Sequence, residues 1–225
     1  MNDMVESHDK ALKESEEKYR VLVLHSREMY HRVKNNMSLI SSMLVLQSGY
    51  IKEQKCLEIF KDTQDRIKCM THITDMFYQS KDLEKFEFNE HNIRQFANDL
   101  FQSRGVTDNI ELILNIEKNS LKIDHVVPFM LIINEMIANS LKHAFPGDRK
   151  GEIRISLCPK DENMIELEIS DNGVGIPSDM DFRTTDSLGL RIITGLANQL
   201  GGQIVLDRSR GTDFKIRFNK GEKCG

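Results

Sequence analysis

The chain reads as an α+β protein, a helical hairpin followed by an α/β two-layer sandwich. Three observations predict this. Residues 1–85 contain one glycine, Gly49, and no proline, whereas all four prolines and eleven of the thirteen glycines follow residue 127. The breaker-free region is rich in Glu, Lys, Leu, Met and Gln, all good helix formers. From residue 86 onward, short segments alternate apolar and polar residues and are separated by helical patterns, the signature of strands with one buried face under a layer of helices. At roughly 150 residues per domain, 225 residues make one medium domain and a smaller element. The expected division is a helical stalk or linker over 1–24, a hairpin over 25–84, a sandwich over 85–220 and a tail over 221–225.

The first helix is expected over about 10–47 and the second over about 52–80, joined at Ser48-Gly49-Tyr50, the one good turn signal in the region. Two helices cannot enclose a core, and the usual solution is a four-helix bundle made with a second copy, a homodimer. On a helical wheel Met29, Val33, Met37, Ile40 and Leu44 fall within about 80° of one another, a stripe suited to the second helix of the hairpin. Beyond Asn35 the apolar arc widens to Leu39, Met43 and Leu46, as a helix with two neighbours needs. The charged run Glu14-Ser15-Glu16-Glu17-Lys18-Tyr19-Arg20 reads as a solvated helix or coiled-coil stalk. In the second half, Ile110–Leu114, Ile153–Leu157, Ile165–Ile169 and Phe214–Phe218 read as strands, and 91–103, 125–143 and 188–200 as helices.

Composition excludes several function classes. Thirty-one basic against 35 acidic residues leave a net charge of −4, a poor basis for neutralising nucleic-acid phosphates. Hydrophobic residues at 39% and charged residues at 29% are ordinary for a globular chain. No stretch approaches 18 uncharged apolar residues, so no membrane insertion is expected in this chain, and the N-terminus lacks the pattern of a signal peptide. The four cysteines, Cys56, Cys69, Cys158 and Cys224, show no ligand spacing and read as reduced thiols of a cytoplasmic protein.

Three constellations carry chemistry. His31 lies about 160° from the centre of the apolar stripe, with Glu28 and Asn35 beside it on the wet face. An isolated surface histidine means little. A neutral imidazole in a polar cluster is a nucleophile that can accept a phosphoryl group, with Arg32 and Lys34 near enough to offset its charge. In the helix Phe129–Phe145, apolar Phe129, Met130, Ile133, Met136, Ile137 and Leu141 cover one face, and Glu135, Asn139, Lys142 and His143 fall within about 100° on the other. An amide at helix spacing from a carboxylate, followed by two basic groups, suits a divalent ion carrying a polyphosphate. Asn139 would be an oxygen ligand to Mg²⁺, Lys142 and His143 would face phosphate, and Glu135 could orient or deprotonate the acceptor. A plain amphipathic helix with its polar face in water reads equally well. Third, the strand Ile165–Ile169 runs into Asp171-Asn172-Gly173-Val174-Gly175, a turn whose glycines allow close approach of a flat ligand. Asp171 is acceptor-only and suits the exocyclic amine of adenine, although Asp-Asn-Gly is also a common hairpin turn. No G-x-x-x-x-G-K-S/T loop occurs, and Ser178 occupies the third glycine position of a dinucleotide fingerprint. Residues 176–187 could close as a lid. Ser187-Leu188-Gly189-Leu190 opens a helix whose N-terminus suits phosphate, and Gly211-Thr212 opens the last strand, where the threonine hydroxyl could support the base or its aspartate.

Taken in order, these boxes resemble those of two-component sensor histidine kinases from about residue 25 to 218. His31-Arg32-Val33-Lys34-Asn35 is similar to the H-R-x-K-N phosphoacceptor box of an HWE-related subgroup. Asn134-Glu135 with Asn139, Lys142 and His143 is similar to the N box. Asp171-x-Gly173-x-Gly175 resembles the first glycine box, and Leu188-Gly189-Leu190 with Gly211-Thr212 the later ones. The resemblance implies that 25–84 is a dimerisation and phosphotransfer hairpin and that 85–220 is an ATP-binding domain of the Bergerat, or GHKL, type. It implies autophosphorylation of His31 from MgATP and transfer to an aspartate of a response-regulator receiver domain. Arg32 stands where most such kinases have an acidic residue, which places Glu135 ahead of Glu28 as general base. The absence of tryptophan sets the chain beside the HWE group rather than inside it. Ala11–Arg20 looks like the lead-in to a PAS sensor, but ten residues before His31 leave no room for one there; either the chain is a shortened one or the sensor lies elsewhere. Two other readings stand beside this one: a phosphotransfer scaffold whose sandwich no longer binds ATP, and an ATP-driven clamp or serine kinase sharing the nucleotide domain.

Overall fold

The computed structural model describes residues 2–79, 85–105, 109–147 and 149–220, with residues 2–11 and 78–79 described by their backbone alone. The expected tail at 221–225, with Cys224, and the boundary residues 80–84 lie outside this description. Helix α1 (Asn2–Ser48) and helix α2 (Gln54–Gln79) form the hairpin, turning at Gly49-Tyr50. Strand β1 (Lys85–Phe88) pairs antiparallel with β3 (Asn119–Lys122) in a short ribbon. Helix α3 (Glu90–Ser103) starts at Asn89, whose side chain accepts from the Asn92 N–H while the Asn92 side chain accepts from the Asn89 N–H, both at 3.1 Å.

Strands β2 (Ile110–Ile116), β4 (Gly151–Pro159), β5 (Met164–Asp171), β7 (Thr212–Asn219) and β6 (Gln203–Asp207) form a five-stranded sheet in the order β2-β4-β5-β7-β6. Only β2 and β4 are parallel. Alternation along these strands sends Ile155, Leu157, Leu167, Ile169, Phe214, Ile216 and Phe218 into the core, against α3, α4 (Ile123–Asn139) and α5 (Leu188–Gln199). The sequence reading misses β1, β3 and β6. At four, four and five residues, these strands are too short for alternation to stand out.

Two expectations about helix faces are corrected. Met29, Val33 and Ile40, expected against α2, are 66%, 41% and 43% exposed. The row that meets α2 is one step round: Tyr30 stacks on Phe77 with ring centroids 5.9 Å apart, and Lys34 reaches Asp75 at 2.6 Å. Lys34 thus faces the hairpin partner rather than the transferring group. The second correction concerns the polar face of α4. It lies only partly in water: α2 covers Glu135, which is buried, while Asn139 is half-buried and Lys142 and His143 remain exposed. Nor does α4 continue to residue 143. It ends at Asn139 in a π turn, Ser140–Ala144, which shifts Lys142 and His143 from their wheel positions.

The hairpin and the sandwich share one core. Cys69, Ile73, Met76 and Phe77 of α2 are buried in the same cluster as Ile93, Phe96 and Phe129. An aromatic run from Tyr30 through Phe77, Phe86, Phe88 and Phe129 to Phe218, with successive centroids 4.8–6.0 Å apart, ties α1 to β7 of the sheet.

Candidate active site

Between α4, α5 and the end of β5 lies a cavity of about 540 Å³. Asn139, His143, Asp171, Gly175, Leu190 and Thr212 line it, with Met136, Ser140, Met180 and Phe214. The protein's own side chains leave it open. Its walls are largely apolar with a few converging polar groups, the usual make-up of a small-molecule site.

Asp171 sits on the cavity wall, 5% exposed. Its Oδ2 accepts from the Ser140 hydroxyl at 2.8 Å, and its Oδ1 accepts from the backbone N–H of Gly173 at 3.0 Å and of Thr212 at 3.3 Å. Three of about four lone-pair sites of the carboxylate are therefore taken, leaving room for one further donor. Thr212 supports the aspartate through its N–H rather than its hydroxyl. Ser140 was absent from the sequence reading, since nothing local links it to a residue 31 positions away.

The glycines bring backbone close to this aspartate. Gly211 has φ +97°, and a Cβ there would stand 2.1 Å from the Asp171 carbonyl oxygen. Register pairs Asp171 with Thr212, so only a glycine can precede Thr212 at this corner. At the N-terminus of α5, a Cβ on Gly189 would stand 3.2 Å from both Asn139 Oδ1 and Glu135 Oε2, so the missing side chain keeps that end against the polar residues of α4. Leu188 is exposed, and Leu190, on the cavity wall, is buried. Within residues 176–187, Ile176, Pro177, Met180 and Ser187 line the cavity. Phe182 is buried against Phe214, and Arg208 donates to the carbonyls of Ser178 and Met180 at 2.9 and 2.5 Å.

A second cavity of about 280 Å³ adjoins the first, and Asn139 and His143 line both. It lies between the sandwich and α2. Here Glu135, 4% exposed, accepts a bidentate pair from Arg66 Nε and Nη2 at 2.9 and 2.8 Å. Lys142 Nζ donates to Asp62 at 2.6 Å, and Arg104 bridges Asp62 at 2.9 Å and Asp65 at 2.6 Å. Burial pushes the Asp62 carboxyl up, but the hydrogen bonds from Lys142 and Arg104 outweigh it and hold the group below the usual carboxylate range. Burial, and then the Lys142 charge, push the His143 imidazole below its ordinary value.

His31 is exposed on α1, as are Glu28 and Asn35. Arg32 pairs with Glu28 at 2.7 Å, and that hydrogen bond holds the Glu28 carboxyl low, an unfavourable property for a base. Tyr30–Phe77 and Lys34–Asp75 set the antiparallel register of the hairpin. That register puts Arg66 and Asp62 level with residues 41–47 of α1, roughly 15–24 Å along the axis from His31 at 1.5 Å per residue. The structure brings Glu135, Asn139, Lys142, His143, Asp171 and the glycines together, and holds His31 apart from them.

Two families match the chain. One described as histidine kinase matches residues 28–104, and one described as histidine kinase-, DNA gyrase B- and HSP90-like ATPase matches residues 124–222. The chain belongs to the histidine kinases. Within that family it is HWE-related and carries a GHKL ATPase domain. The first match runs past the hairpin through α3, in keeping with the shared core. The sensor histidine kinase PdtaS of Mycobacterium tuberculosis is 27% identical over 203 residues, covering 88% of this chain and 40% of that protein. Blue-light-activated histidine kinase 2 of Erythrobacter litoralis is 24% identical over 190 residues, covering 80% of this chain and 52% of that protein. This histidine kinase chain thus spans between 40% and about half of the length of these relatives. The histidine kinase domain of the Erythrobacter litoralis EL346 protein superposes with a TM-score of 0.63 at 16% identity over 80% of this chain and 95% of that one, a likeness of fold.

Proposed function

We propose that the chain is the kinase core of a sensor histidine kinase: it binds MgATP in the cavity beside Asp171, phosphorylates His31, and passes the phosphoryl group to an aspartate of a response-regulator receiver domain. The observation that carries this reading is Asp171, a buried carboxylate on the wall of an open cavity with one acceptor site to spare. An adenine exocyclic amine is the donor that completes it. Gly173 and Gly175 let backbone approach the base, and Thr212 with Gly211 holds the aspartate. Leu188, Gly189 and Leu190 set the α5 N-terminus, whose N–H groups suit phosphate. Lys142 and His143 face the polyphosphate end.

Asn139 borders both cavities and offers one side-chain oxygen. That fits Mg²⁺, which is held by one or two protein ligands together with phosphates and water. When bound, the ion supplies neutralisation of charge on the β- and γ-phosphates. In the transfer a ring nitrogen of neutral His31 forms a bond to the γ-phosphorus, the bond from that phosphorus to the β,γ-bridging oxygen breaks, and ADP leaves with that oxygen. The ring proton passes to a base, for which Glu135 is the candidate once it is free of Arg66. Since the cavity lies well along the hairpin from His31, transfer requires the sandwich to travel relative to the α1 surface.

The exposed row Met29, Val33, Leu39, Ile40, Met43 and Leu46 supports pairing with a second copy as a four-helix bundle. Among the described residues no helix is long and apolar enough to cross a membrane. Use of ATP favours work in the cytoplasm. Incubation with labelled MgATP is expected to give acid-labile, alkali-stable phosphate on the chain, and His31→Gln is expected to abolish it. Equal labelling of His31→Gln refutes the assignment.

A further inference from the structure

At the phosphate end of the cavity the protein already supplies an anion. Lys142, the cation assigned to the polyphosphate, gives its ammonium to Asp62 of the hairpin at 2.6 Å. A carboxylate oxygen at that distance offers lysine the acceptor chemistry of a phosphate oxygen. Asp62 is not held by Lys142 alone: Arg104 also grips it at 2.9 Å, so losing the lysine leaves no orphaned charge.

The contact of α2 with the sandwich has two parts. Cys69, Ile73, Met76 and Phe77 anchor it by apolar burial. The stretch nearer the turn, around Asp62 and Arg66, is held by ion pairs to Lys142 and Glu135.

We propose that Asp62 is a hairpin-borne surrogate for a phosphate oxygen: it positions Lys142 in the nucleotide-free protein, and the polyphosphate of an incoming nucleotide displaces it, loosening the lower part of α2 from the sandwich. The proposal rests on the nucleotide reading above. Its physical basis is exchange. Lys142 trades one carboxylate for a more highly charged phosphate, and Asp62 falls back on Arg104. Its carboxylate would repel the polyphosphate if it stayed. Seating of α2 and occupancy of the site are then opposed, and the opposition runs in both directions.

Cys69 supplies a native reporter. It is buried 2% exposed beside Asp65 and Asn134, just above the ion-paired stretch, so its rate of thiol alkylation, followed by peptide mass spectrometry, reads how firmly α2 is seated. The full chain is titrated with a non-hydrolysable MgATP analogue. Asp62→Asn is expected to bind it more tightly by about fivefold or more, the low end of ordinary coupling between sites. In the parent, saturating analogue is expected to speed Cys69 alkylation, and in Asp62→Asn the rate is expected to be raised without nucleotide. Arg104 still holds Asp65 in the variant, and an unchanged melting profile shows that it folds. Equal or weaker affinity of Asp62→Asn, or Cys69 alkylation indifferent to bound analogue, overturns the competition while leaving the nucleotide reading intact. A parent chain that binds no analogue at all defeats the nucleotide reading, and the competition falls with it.

Discussion

At the scale of single residues, the proposed nucleotide site turns on Asp171. Its oxygens take one side-chain and two backbone donors, so most of the acceptor sites of this buried group are satisfied within the protein. Asp171→Asn replaces an acceptor with an amide that presents N–H groups to donors. It should lower affinity for a MgATP analogue by roughly tenfold to a hundredfold, the weight of a lost hydrogen bond to a charged group, as read by titration. Unaltered affinity would remove Asp171 from the base pocket. Asp171, Asn139 and the glycines were legible in the sequence because a charge at a strand end and a polar stripe in an apolar helix are local patterns. Asp62, Arg66 and Ser140 were not legible. Each contributes only by meeting a residue far along the chain, Arg66 meeting Glu135 across 69 positions. Lys34 shows the opposite failure: its neighbourhood in sequence suggested a role beside His31, while its side chain serves the hairpin at Asp75.

At the scale of elements, periodicity served the long ones. Both hairpin helices, α3, α5 and the four longer strands were legible because each runs for at least seven residues. The strands β1, β3 and β6 carry too few residues for that, and they gain their order from pairing. The wheel failed at α4 for a different reason. A constant 100° per residue cannot foresee the π turn Ser140–Ala144, which places Ser140 on Asp171 and sends Lys142 toward α2. The corner between β6 and β7 is where element geometry and site meet. Gly211→Ala puts a methyl into the Asp171 carbonyl and an alanine at φ +97°. It should cost about 1–3 kcal/mol of stability from the backbone alone, and nucleotide affinity should fall with it, since the Thr212 N–H moves. Thermal melting together with a nucleotide titration checks both. A variant as stable as the parent shows that the corner relaxes.

For the whole molecule, burial joins parts that the sequence reading kept separate. Two histidines whose imidazoles are held below their ordinary value, His72 and His143, make acid a weakness. Burial depresses the His72 imidazole against the partial opposition of Asp99 and Asp75, and burial followed by Lys142 depresses His143. The unfolded chain takes up these protons near an ordinary pKa of about 6.5, while the folded chain resists them, so stability is present above that pH and is lost as pH falls below it. Urea midpoints should therefore be lower at about pH 5.5 than at about pH 7.5, and a midpoint that holds steady or rises on acidification contradicts the sign. The shared core gives the larger effect. Ile73 on α2 is 1% exposed, in the cluster that also holds Ile93, Phe96 and Phe129 of the sandwich. Truncating it removes apolar area and leaves a cavity between two parts that would otherwise be distinct domains. Ile73→Ala should destabilise the chain by about 2–5 kcal/mol. Because the lost contacts lie on both sides of the junction, helical signal from the hairpin and nucleotide-binding signal from the sandwich should shift together in one denaturation experiment. If Ile73→Ala instead melts the hairpin early and leaves nucleotide binding at its parental midpoint, the two parts are energetically independent and the common core is only a contact.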